Sequence, residues 1–285
     1  MLVSMKEMLA DAKAKHYAIP AFDVSNYEMM RAVLDACEAE RSPALLQALG
    51  VDFDGKGLPI LTEMIKEATK HYTIPVCLHL DHATDIDFIR AALDVGFSSV
   101  MYDGSVLPFA ENAEMTRKVV EIAHTYGATV EAELGHVGNA MVGNEKDAVK
   151  NEDPEDTLTL PSEVVRFREI TDVDALAIAI GTAHGAYKTA PVLDLARLAE
   201  IRNAINTPLV LHGGSGLSDD DFRNCVRGGI AKVNIFTDLC LAGRRAMQEG
   251  LAAGEDYLTI RNRKVKEITE EVRTKMRLFG CSGKA

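Results

Sequence analysis

Ile74-Pro-Val-Cys-Leu-His-Leu-Asp-His-Ala-Thr84 is the stretch whose reading decides the fold. Its apolar start reads as a short buried β-strand over residues 76–80, whose end carries Asp81 and His82. An acid beside an imidazole, where a strand gives way to a loop, stands on rigid backbone with room for a substrate beyond it. Two more histidines occupy similar places. They are His184 in Ile180-Gly-Thr-Ala-His-Gly185 and His212 in Leu209-Val-Leu-His-Gly-Gly-Ser-Gly216.

Outward from this stretch, short apolar runs alternate with longer amphipathic ones. The pattern predicts strands over residues 17–24, 44–47, 76–80, 98–102, 129–134, 175–180, 209–212 and 232–236. Helices are expected over residues 26–40, 58–71, 85–95, 109–126, 161–171, 194–205, 219–227, 239–249 and 261–279. Tyr27, Met30, Val33, Leu34 and Cys37 mark the apolar face of the first helix, and Asp85 suits an N-cap. Eight strand–helix units in 285 residues point to an α/β fold, a (β/α)8 barrel with a C-terminal helical extension. No linker divides the chain, so residues 1–285 are expected to form one domain, with residues 257–285 as closing helix and tail. A doubly wound open sheet is the structural rival. The polar run over residues 135–156 exceeds an ordinary βα turn and reads as a lid or as a plain surface loop.

Composition bounds the function. Hydrophobic residues make up 47% and charged residues 26%, which suits a globular core. A net charge of −12 argues against an electrostatic grip on nucleic acid or anionic lipid. The opening Met-Leu-Val-Ser-Met-Lys-Glu lacks a signal-like apolar run, and no stretch reaches the roughly 20 apolar residues of a membrane helix. A cytoplasmic protein is expected. The five cysteines are scattered without a Cys-x-x-Cys pair, so metal ligands are sought among histidine and carboxylates.

In a parallel barrel, reacting groups collect at the C-terminal strand ends. Asp81, His82, Glu133, His184, His212 and Asn234 are all expected at one such mouth. Three neutral imidazoles on rigid supports can hold a zinc-like cation and leave a position open for substrate. Of Glu131 and Glu133, only one is expected to face the interior; Glu133, the end residue, is taken as the metal or supporting carboxylate. His79 is read as core or support, and His16, His71, His124 and His136 carry no metal signal. Gly213-Gly-Ser-Gly216, which leads to a helix near Ser218, suits a phosphate, together with Asn234-Ile-Phe-Thr237. Lys188 could add a cation there or be a solvated surface lysine.

With these residues in place, the chain resembles the class II, metal-dependent ketose-bisphosphate aldolases, in the branch of tagatose-bisphosphate and many bacterial fructose-bisphosphate aldolases. The resemblance rests on Leu80-Asp-His82, Tyr102-Asp-Gly-Ser105, Val130-Glu-Ala-Glu-Leu-Gly135, Ile180-Gly-Thr-Ala-His-Gly185, Leu211-His-Gly-Gly-Ser-Gly216 and Lys232-Val-Asn-Ile235. It implies a TIM barrel in which His82, His184 and His212 bind Zn2+, Glu133 is an alternate or supporting carboxylate, and Asp81 is the acid/base. It also implies that Gly185, Lys188, Gly213, Gly214, Ser215, Asn234 and Thr237 bind dihydroxyacetone phosphate. Backbone around Gly185 and Gly213 is further implied to hold a monovalent cation, and relatives are homodimers or homotetramers. The implied reaction is reversible cleavage of a ketose 1-phosphate or 1,6-bisphosphate, with zinc stabilising the enediolate and a lid acid, Glu145, protonating it.

Four positions depart from the family pattern. Asp23 stands where the family usually has Asn, Leu49 replaces a common Ser, the first lid acid comes as late as Glu145, and Gly254-Glu255 replaces a phosphate-gripping Arg. These departures suggest that the aldehyde half differs and lacks its own phosphate. The rivals are a Schiff-base aldolase using Lys232, a metal-dependent hydrolase, and a sugar-phosphate-binding protein without catalysis.

Overall fold

Eight strands, each hydrogen-bonded to its sequence neighbours, close on themselves in the computed structural model, which describes residues 2–49, 56–138, 157–185, 187 and 190–285. They are β1 (Ile19–Asp23), β2 (Ala44–Leu49), β3 (Val76–Ala83), β4 (Ser99–Tyr102), β5 (Thr129–Leu134), β6 (Ala175–Ile178), β7 (Leu209–Leu211) and β8 (Ile230–Ile235). All neighbouring pairs are parallel, and β1 pairs with β8 from Ile19↔Lys232 to Phe22↔Ile235, which excludes the open-sheet rival. Burial on both faces explains the near-continuous apolar strands.

Helices α2 (Tyr27–Glu40), α3 (Gly57–Ala68), α4 (Ile86–Val95), α5 (Phe109–Thr125), α6 (Pro161–Thr171), α7 (Leu195–Ala204), α8 (Asp219–Gly228) and α9 (Thr237–Ala252) each follow a strand, after a first helix α1 (Met5–Lys15). Asp85 caps α4 by accepting from Asp87 N, and Asn26 caps α2 by accepting from Met29 N. The closing helix α10 (Tyr257–Phe279) lies against α2 and α9, with Lys264 Nζ 3.0 Å from Glu28 Oε2 and Arg273 Nε 2.9 Å from Glu40 Oε1.

The strands over residues 129–134 and the helix over residues 161–171 fall where the sequence places them. Two things differ. Helix α1 has no counterpart in the sequence reading, although Met5, Met8, Leu9 and Ala12 recur at helical spacing and are buried. It packs at the N-terminal ends of the strands, where Met5 N donates to Thr129 Oγ1 (3.1 Å) and Lys6 Nζ meets Asp174 (2.9 Å). Strand β3 runs on to Ala83 instead of stopping at Leu80, and this extension shapes the site. Of the expected lid, residues 139–156 lie outside the described residues, as does Glu145.

Candidate active site

Strand β3 breaks register against β4 between Leu80 and Ala83, where Leu80 pairs with Val100 and Ala83 with Tyr102. His82 takes a left-handed backbone, φ 47°, which non-glycine residues adopt at a cost. Regular pleating would send Asp81 and His82 to opposite faces. The irregularity re-aims one of them, so both line a cavity of about 430 Å³ at the C-terminal mouth.

Three imidazoles converge there. Ring centroids of His82 lie 4.9 Å from His184 and 4.7 Å from His212, and His184 lies 5.8 Å from His212. One ring nitrogen from each falls within 4.8 Å of the others. Their far nitrogens explain which lone pairs are available. Glu131 Oε1 lies 2.8 Å from His212 Nε2, and Asp103 Oδ2 lies 2.8 Å from His82 Nδ1. Burial opposes ionisation of Glu131, but Lys232 and His212 outweigh it and hold the carboxyl down at about 2. Asp103 is likewise held well below the usual range against burial, by the His82 hydrogen bond and charge. Two ionised carboxylates can only accept, so His212 carries hydrogen on Nε2 and His82 on Nδ1. The opposite nitrogens are left with free lone pairs.

Those atoms are among the buried ones without a hydrogen-bond partner. His82 Nε2, His184 Nε2, His212 Nδ1 and Glu133 Oε2 are all buried and unsatisfied. Glu133 Oε2 stands 3.1 Å from His212 Nδ1 without hydrogen-bond alignment, while its Oε1 accepts from Val137 N at 2.9 Å. Buried polar atoms are rarely left alone. Three imidazole nitrogens and a carboxylate oxygen form a donor set that suits a borderline divalent cation. Without a cation, the site holds an extra proton on His212: burial lowers its pKa, but Glu131 and Glu133 raise it to about 10. Burial and then the His82 and His212 charges take His184 down to about 4. Cation binding therefore displaces protons and weakens as pH falls.

Asp81 is the best-supported carboxylate of the mouth. It is 2% exposed, and its oxygens accept from Asn234 Nδ2 (3.2 and 3.1 Å) and Gln47 Nε2 (3.2 Å). Burial raises its pKa, but His82, His79, Lys232 and His212 together hold it well below the ordinary value. His79 is buried, with Nδ1 2.7 Å from Ser99 Oγ and Nε2 3.7 Å from Asp81 Oδ1, which agrees with a supporting place.

The glycine loop after β7 lines the same cavity with Gly213, Gly214 and Ser215, beside Gly185, Asn234, Phe236 and Thr237. Gly213 has φ 66°, and a Cβ there would sit 2.4 Å from Ala183 O, so the loop packs against the segment after β6 only because it lacks side chains. Tyr187 Oη locks this contact, donating to Gly213 O (2.6 Å) and accepting from Ala183 N (2.8 Å). Thr237 opens the 16-residue helix α9, whose first N–H groups and dipole favour an anion. Lys188 lies outside the described residues.

Three sequence readings need correction. Glu131 and Glu133 both turn inward, because residues two apart share a face of a strand. His136, read as carrying no signal, lines the cavity, with Nδ1 3.0 Å from Ser105 Oγ. Glu255, the feature that suggested a missing phosphate grip, pairs with Arg263 and is absent from the cavity wall. Sequence reasoning also passed over Asp103 and the pairing of Lys232 with Glu131 (2.9 Å). Lys232 is fully buried in that pair and is not among the residues lining the cavity, which keeps its amine away from a carbonyl bound there.

A closed parallel barrel with this donor set at its C-terminal mouth is the architecture of a metal-dependent barrel enzyme. The family described as fructose-bisphosphate aldolase class-II matches residues 3–284, and the chain belongs to it. It is similar to the YdjI aldolase of Escherichia coli K12, at 34% identity over 100% of both chains and a TM-score of 0.88. It is also similar to a candidate fructose-1,6-biphosphate aldolase of Coccidioides immitis, at 30% identity over 98% of this chain and 96% of that one, TM-score 0.88. Fructose-bisphosphate aldolase of Campylobacter jejuni shares the fold, with a TM-score of 0.83 at 23% identity over 100% of this chain and 97% of that one. The protein is thus a carbon–carbon lyase of a generally metal-dependent family. Among the described residues, no helix is long and apolar enough to cross a membrane.

Proposed function

We propose that the protein catalyses zinc-dependent, reversible cleavage of a ketose 1-phosphate or 1,6-bisphosphate to dihydroxyacetone phosphate and an aldehyde. The observation that carries this reading is the convergence of unsatisfied imidazole nitrogens beside an ionised, hydrogen-bonded Asp81. His82, His184 and His212 would hold the ion, with Glu133 as an alternate ligand. When bound, a divalent cation supplies positive charge opposite the oxygens on which enediolate charge develops.

The chain's own groups do the rest. Asp81 takes the proton from the C4 hydroxyl as the C3–C4 bond breaks, and the bonding pair moves toward the C2 oxygen. The products are the aldehyde and the enediolate of dihydroxyacetone phosphate. Asn234 and Gln47 hold Asp81 in place, so its approach to the hydroxyl costs little reorganisation. A proton delivered to C3 completes the second product; we assign that acid to Glu145, in a lid over residues 135–156. Gly185, Gly213, Gly214, Ser215, Asn234 and Thr237 would seat the phosphate through loop amides and the α9 N-terminus, with Lys188 as its cation. A monovalent cation near Gly185 and Gly213, a homodimeric or homotetrameric assembly, and a cytoplasmic setting of one domain belong to the same reading, supported by family membership.

The test joins metal analysis to condensation of dihydroxyacetone phosphate with a panel of aldehydes. Wild-type protein is expected to carry about one zinc per chain and to form ketose phosphate, while His184→Ala loses both, as three-ligand catalytic sites do on losing a ligand. Full activity in a metal-free preparation would contradict the proposal.

A further inference from the structure

Helix α10 turns one face to the barrel, and along it Ile268, Val272, Met276 and Phe279 are buried at helical spacing. Lys275 shares that face and is 8% exposed, although lysine rarely enters a core unpaired. Its Nζ lies 2.6 Å from Asp238 Oδ2, 3.4 Å from Glu271 Oε1 and 4.9 Å from the centre of the Phe222 ring. Stability alone is a weak reason for such a pair, because apolar side chains of similar size often serve a core as well.

Both Asp238 and Phe222 back the loop proposed to seat the phosphate. Asp238 stands in the first turn of α9, next to Thr237 of the cavity wall, and its N–H donates to Ser215 Oγ at 3.3 Å. Phe222 lies under the glycine loop, where a Cβ on Gly214 would come 3.3 Å from its ring. The acid is the difficulty. A carboxylate in the first turn suits the helix dipole by itself, and it repels an anion arriving at the same helix end. Among the described residues, the cavity wall holds no lysine or arginine to offset that charge.

We propose that Lys275 is a positioning residue of the phosphate seat. Its ammonium holds the Asp238 carboxylate outside the cavity wall and balances its charge, so that an incoming phosphate meets the loop amides and the α9 N-terminus without a like charge beside them. Lys275 touches no substrate and acts through Asp238. The inference deepens the aldolase reading, resting on it for a phosphate monoester at Ser215 and Thr237.

The experiment titrates the metal-loaded full chain with inorganic phosphate and with dihydroxyacetone phosphate by calorimetry, beside condensation kinetics and circular dichroism. Lys275→Met should weaken both ligands and raise the KM for dihydroxyacetone phosphate about tenfold, with kcat within about threefold, since a like charge is left near the bound anion. Asp238→Asn should bind phosphate as tightly as wild type or about twofold tighter. Adding Asp238→Asn to Lys275→Met should restore affinity to within about threefold of wild type. A purely structural clasp predicts otherwise: the two single variants lose affinity alike, and the double variant is no better. That pattern, or unchanged affinity in Lys275→Met, would overturn the inference. If Lys275→Met does not fold, Asp238→Asn decides alone, because weakened phosphate binding there refutes the charge argument. The expected pattern of binding without condensation of any aldehyde would sink the aldolase reading and leave this inference standing. Wild-type protein that binds neither ligand overturns the inference itself.

Discussion

Replacing Asp103 with alanine should weaken metal binding without touching a metal ligand. Asp103 follows β4, and its Oδ2 lies 2.8 Å from His82 Nδ1, while Oδ1 accepts from Ser105 N at 3.1 Å. The ionised carboxylate fixes the His82 tautomer and ring angle, which turns the Nε2 lone pair toward His184 and His212. Without it, the neutral ring divides between two tautomers and can rotate, and only one tautomer offers Nε2 to a cation. Loss of such an orienting partner costs 10- to 100-fold in affinity, about 1.4–2.8 kcal/mol. Asp103→Asn keeps an acceptor oxygen but no charge, so it should fall between wild type and alanine. Folding should survive, because the Asp103 side chain is 20% exposed and water can replace its contacts. The matching experiment on Glu131 is less informative. Glu131→Gln strands Lys232 as an unpaired buried charge, a cost of roughly 3–5 kcal/mol that would confound any metal titration. The assay is competition of apoprotein with a chromophoric chelator at fixed pH, with circular dichroism as control. Equal affinity for wild type and Asp103→Ala, at unchanged fold, would refute the orienting role.

Asp81→Ala should keep its affinity for a divalent cation but lose roughly 10²- to 10⁴-fold in kcat for cleavage, since the proposed general base is removed while the imidazoles stay. Cleavage near the wild-type rate would take Asp81 out of the mechanism. Remote from the site, the Glu40 carboxylate, beside Arg277, Arg273 and Ser282 of the C-terminal segment, is pulled down to about 2, against the opposing effect of burial. Because its folded pKa lies below the ordinary 4.5, its stabilising effect is complete above that pH and disappears as pH falls toward 2. Urea midpoints should therefore drop more steeply over that window in wild type than in Glu40→Gln; parallel curves would deny the linkage.

What the sequence reveals and what it hides follow one physical divide. Local periodicity exposes the strands, so the barrel and the placement of Asp81, His82 and His212 at its mouth are legible. Whatever depends on register between strands is hidden. Asp103 carries no sequence signal as the partner of His82, because their meeting depends on the β3–β4 register shift. The Asp23–Gln47–Asp81 chain spans three strands, and the substitution at Asp23 shows only as an oddity until Gln47 is seen between the two acids. The inward turn of both Glu131 and Glu133 is the exception, since strand period alone implies it.

The same register explains how the strands themselves preorganise the mouth. Asp81, Glu131, Glu133, Lys232 and Asn234 sit on strands and hold one another: Lys232 neutralises Glu131, Glu131 orients His212, and Asn234 and Gln47 fix Asp81. His184, carried by a loop, is tied through its backbone N–H to Gly138 O at 2.7 Å, and the glycine loop through Tyr187. Charge that would be costly in an apolar core is thus spread through an interior network whose upper layer is the reacting surface. Substituting the lower layer should therefore disturb stability and metal affinity together, whereas the rim residue Asp103 separates them.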